Sequence, residues 1–182
     1  MTDESPGMVT GLFRDRHSAE RAYEAVTSRG YGASDLSLLM SEQARNRHFP
    51  RAENHRSELS TKVTAGATAG AVTGVSLGAV LAGLAASGIA VPGLPIIAMG
   101  TLAAALTGAA TGGGLGALIG GLIGYGIPEE RAQMYDRGIR EGGIVMGVTP
   151  RSQQDREYFE REWAACGGES ICRTTVRGRE AA

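Results

Sequence analysis

From Val63 to Pro128 the chain carries no aspartate, glutamate, lysine, arginine or histidine, and within that block glycine recurs at every fourth position. Gly66, Gly70, Gly74 and Gly78 form one series; Gly108, Gly112, Gly116, Gly120 and Gly124 form a second. On a helix this spacing lines small residues along one ridge, where a neighbouring backbone can approach closely, as in a glycine zipper. Glycine costs about 1 kcal/mol relative to alanine inside an exposed helix, so such helices need packing or a bilayer to hold them. Between the two series, Val91-Pro-Gly-Leu-Pro, with Pro92, Gly93 and Pro95, interrupts any helix and reads as a hairpin turn. The expectation is a long Gly/Ala-rich antiparallel helical hairpin, about Thr64 to Ala90 and Ile96 to Tyr125. Each arm would reach roughly 40 Å at 1.5 Å per residue, against a hydrocarbon core of about 30 Å.

Two environments suit such a hairpin. In a bilayer, the basic residues on its flanks (Arg51, Arg56 and Lys62 before it; Arg131, Arg137 and Arg140 after it) would keep both termini in the cytoplasm and send only the Pro92 region across. A lipid bilayer is then an expected partner and the bacterial cytoplasmic membrane the expected location. Alternatively, Thr68, Thr73, Ser76, Ser87, Thr101, Thr107 and Thr111 dilute the hydrophobic signal, and the hairpin could pack against copies of itself in a soluble, cytoplasmic assembly. Both readings make the chain its own partner, a homo-oligomer; a pore of several hairpins is a third.

The 18 basic and 19 acidic residues all lie outside the block, in two flanks that read as halves of one domain. Residues 8–40 give strand, helix, strand: Met8 to Phe13 is β-prone, Ser18 suits an N-cap, Ala19, Ala22, Tyr23 and Val26 share one helical face, and Gly30 suits a left-handed C-terminal cap. Residues 41–62 are a polar, basic linker. Residues 63–127 are the hairpin. Residues 128–177 give helix, strand, helix, strand: Pro128, Glu129 and Glu130 suit a first turn, Gly142 and Gly143 a stop, and Phe159 and Trp163 one apolar face. The economical fold is α+β, a ferredoxin-like split βαβ sheet of four strands with helices on one face, interrupted by the hairpin.

No catalytic, cofactor or metal site is expected. Gly112 to Ala117 fits the dinucleotide pattern G-x-G-x-x-A, with Asp136 further on, yet it lies inside an apolar run rather than after a strand. Cys166 paired with His17, His48 or His55 has no supporting motif, and His48 and His55 are too far apart for a helical metal pair. Tyr158, Phe159 and Trp163 could suggest a base-stacking platform, but the spacing of Phe159 and Trp163 on one helix makes those two core residues. Net charge is −1, mean hydropathy −0.08, and Lys62 is the single lysine, which gives no basic face for nucleic acid. Nothing names a small-molecule substrate. The acidic start, Met1 to Pro6, lacks the basic and apolar regions of a secretory signal, so the polar part is expected in the cytoplasm.

Val9-Thr-Gly-Leu-Phe-Arg-Asp-Arg16, the central Val91-Pro-Gly-Leu-Pro95, and Gly126-Ile-Pro-Glu-Glu130 followed by Tyr135 and Gly142-Gly-Ile-Val145 together resemble the bacterial general stress protein 17M-like family, which includes heat-induced and low-temperature-induced proteins. The resemblance spans roughly Val9 to Val176. It implies a stress-associated protein without established catalytic residues.

Overall fold

The protein's computed structural model describes residues 7–48, 89–90, 95–103, 106 and 116–174. Strand β1 (Val9–Phe13) leads to Asp15, whose carboxylate accepts the Ser18 N–H at 2.9 Å and caps α1 (Arg16–Ser28). The helix thus begins one turn before the expected Ser18 cap, and Ser18 instead donates its hydroxyl to Asp15. Gly30, at φ +76°, follows the helix end as expected. After β2 (Leu36–Ser41), the start of the expected linker is a short helix, α2 (Glu42–His48), because Ser41 Oγ accepts the Ala44 N–H and Ala44 is buried. Then come β3 (Ile89–Ala90), β4 (Ile96–Met99), α3 (Gly116–Gly124), α4 (Glu129–Arg140), β5 (Ile144–Val148), α5 (Gln153–Ala165) and β6 (Glu169–Arg173). Pro128 caps α4, and Gly142 (φ +94°) closes it with Gly143 N–H returning to the Gly138 carbonyl at 2.8 Å.

The strands form one antiparallel sheet ordered β3-β4-β2-β5-β1-β6. β5 lies between β1 and β2, and β1 lies between β5 and β6. Each flank therefore supplies the strand that separates the two strands of the other, and neither could complete its ladder alone.

Helices cover both faces. Val9, Phe13, Leu36, Leu38, Ile144 and Met146 meet α1 and α5 on one side, where Phe159 and Trp163 are buried. Met8, Leu12, Leu39, Val145 and Ala98 meet α3 and α4 on the other. The architecture is α+β, but with six strands and two helical covers instead of four strands and one. The reason is in the strands: all five residues of both β1 and β5 are buried, as are the first five of β2, so neither face can be left to water.

The uncharged block departs most from expectation. Ile89–Ala90 is strand rather than the end of a helix, and β4 pairs with β2, Met40 facing Ile97 and Ser41 facing Ile96. Pro95 precedes two β-branched isoleucines, and Gly100, at φ +74°, stops them. A Cβ at Gly100 would overlap the Leu36 carbonyl oxygen and lie 2.7 Å from Ser37 Oγ, so the close approach requires glycine. The chain turns helical at 101, where Ser37 Oγ bonds Thr101 Oγ1 at 3.0 Å and accepts the Leu102 N–H at 3.4 Å. The expected helix from Ile96 to Tyr125 is therefore not continuous, and α3 is nine residues long. No helix among the described residues is long and apolar enough to cross a membrane. This contradicts the expectation of a membrane protein with transmembrane helices. Strands β3 and β4 of the sheet stand before and after residues 91–94 in the chain. Pro92, Gly93, Gly66, Gly70, Gly74, Gly78, Gly108 and Gly112 lie outside the described residues.

At one end of the sheet, the loops before β2 and after β5 are joined through Tyr31. Its hydroxyl donates to Asp155 Oδ2 at 2.9 Å and accepts the Arg151 N–H at 2.7 Å. Arg151 also lies over the Tyr31 ring at 4.4 Å and pairs with Asp35 at 2.8 Å, while Arg29 sits 3.4 Å from Asp155. The Ser152 hydroxyl first, then Tyr31, Arg29 and Arg151, hold the Asp155 carboxyl below its usual range. A depressed folded pKa contributes stability that is present above the ordinary carboxylate value of about 3.9 and is lost as pH falls through the lower folded value. Wild-type stability should thus fall more steeply with acid below about pH 4 than that of Asp155→Asn. Urea midpoints across pH test this; parallel acid limbs would contradict it.

Candidate self-association surface

Helix α3, Gly-Ala-Leu-Ile-Gly-Gly-Leu-Ile-Gly, contains no polar side chain. Leu118, Gly121 and Leu122 point inward and join the core beneath α4, with Ile127 behind them. The chain leaves the helix through Gly126 (φ +96°), and Ile127 N–H returns to the Leu122 carbonyl at 3.0 Å. Tyr125 donates its hydroxyl to Thr101 Oγ1 at 3.2 Å, tying this exit to the turn after β4. On the opposite face of α3 the described residues leave the helix uncovered. Gly116, Gly120 and Gly124 are exposed, a Cβ on any of them would meet nothing within 4 Å, and Ile123 is 42 % exposed between the last two. The three described members of the second glycine series thus form a flat outward ridge that packs on nothing among the described residues.

The glycines that do bring backbone and side chains into close contact are others, which the four-residue series did not single out. A Cβ on Gly138 of α4 would overlap Leu12 Cδ2 and lie 2.7 Å from Cδ1; one on Gly143 would lie 2.9 Å from Leu12 Cδ1; one on Gly147 of β5 would lie 2.6 Å from Met8 Sδ. The one sequence signal for Gly138 is its place on the apolar edge of Ala132, Tyr135 and Ile139. Tyr135 lies on the same edge, fully buried; its hydroxyl donates to the Ser170 carbonyl at 2.7 Å and bonds Thr10 Oγ1 at 2.9 Å. Ser170 has φ +54° where β6 bulges against β1, so Tyr135 satisfies a carbonyl displaced from the ladder. Burial pushes the Tyr135 phenol well up, with the Thr10 hydroxyl opposing, which keeps it a neutral donor.

The residues weighed for chemistry are not brought together. Cys166 is buried at the C-cap of α5, and burial raises its thiol pKa, the opposite of what a nucleophile needs. His17 is exposed on α1, His48 Nε2 lies 3.2 Å from the Gly142 carbonyl oxygen, and His55 is outside the described residues. Asp136, the acid of the dinucleotide pattern, pairs with Arg140 at 2.8 Å, and Gly116 and Ala117 lie within α3. Phe159 and Trp163 are core: Trp163 Nε1–H donates to the Ala22 carbonyl at 3.1 Å, and its ring meets Phe13 edge-on at 5.6 Å. Among the described residues no group of three His, Cys, Asp or Glu could hold a metal ion. No protein-family model matches the chain, and no curated protein or solved structure matches it significantly, which leaves its own residues as the ground for a functional reading.

Proposed function

We propose that this is a non-enzymatic, stress-associated protein that assembles with copies of itself through the outward face of α3. The observation that carries the reading is a helix built only from Gly, Ala, Leu and Ile whose outer ridge packs on nothing among the described residues. A helix that is apolar all round belongs inside something. Helix axes ordinarily pack 8–10 Å apart depending on the side chains between them, and a glycine ridge permits the close end of that range. A standard interface buries roughly 800 Å² per partner, so contacts beside the ridge would have to contribute as well. We also infer that the flanks form a ferredoxin-like split βαβ unit, a reading supported by the order β2-β5-β1-β6 with α1 and α5 as its crossovers. The stress association rests on the sequence resemblance. Two free cysteines favour a reducing, cytoplasmic setting.

Sedimentation velocity without detergent tests the assembly. Wild type should sediment as an oligomer, and Gly120→Leu, whose side chain would meet none of the described residues, should sediment as a monomer with unchanged circular dichroism. A wild-type protein that stays monomeric at every concentration reached, or a Gly120→Leu oligomer identical to wild type, would overturn the proposal.

A further inference from the structure

We draw no further inference here: the strongest candidate, the outward face of α3 formed by Gly116, Gly120, Ile123 and Gly124, belongs to the surface already described, and nothing else in the structure shows what covers it.

Discussion

Replacing Trp163 with alanine should destabilise the protein by about 3–5 kcal/mol, the range for deleting a buried large aromatic side chain. Trp163 is fully buried and is the largest such side chain, packed between α1, α5 and β1. Its loss removes the edge-on contact with Phe13 and leaves the Ala22 carbonyl, inside α1, without the indole N–H. It also opens space beside Gly11, where a Cβ would lie 3.3 Å from the Trp163 ring. A domain with about 5–15 kcal/mol of stability would be left close to unfolding. Equilibrium urea denaturation measures the loss; a cost under about 1 kcal/mol would mean that α5 does not pack on the sheet as described.

Gly138→Leu should destabilise the protein by about 1–3 kcal/mol or more as overpacking. The added side chain would enter the contact between α4 and β1 already filled by Leu12, forcing the helix outward and straining the Tyr135 bonds to Thr10 and Ser170. Gly120→Leu is the control, since the same change on α3 meets none of the described residues and should leave monomer stability nearly unchanged. Because Leu12 is the obstacle, a cycle of Gly138→Ala with Leu12→Ala should show a coupling of about 0.5–3 kcal/mol. Strict additivity would remove the contact from the account.

Much of the α+β framework can be read from residues in order. Ala19, Ala22, Tyr23 and Val26 mark the buried stripe of α1, and Phe159 and Trp163 that of α5, because charged residues on the other faces make the period visible. The second helical cover is also written in the strands, since Ile144-Val-Met offers apolar side chains to both faces. The uncharged block lacks that contrast. Ile96-Ile-Ala-Met carries no polar residue to distinguish strand from helix by period, so only Pro95, the β-branched pair and Gly100 hint at β4. What fixes it is remote in sequence: the free edge of β2 and the Ser37 hydroxyl that meets the turn at 101 and 102. The direction of the glycine ridge is likewise set by tertiary packing. Spacing aligns Gly116, Gly120 and Gly124, but Leu118 and Leu122 turn the other side of α3 inward.

The most direct test of self-assembly through α3 is cysteine cross-linking in a background free of Cys166 and Cys172, with a short bis-maleimide and no detergent. Ile123→Cys should yield covalent dimers, while Arg137→Cys, also exposed but on α4, should remain monomeric. Absence of dimers from Ile123→Cys, or equal cross-linking at both positions, would contradict the assignment of the α3 face as the contact between copies.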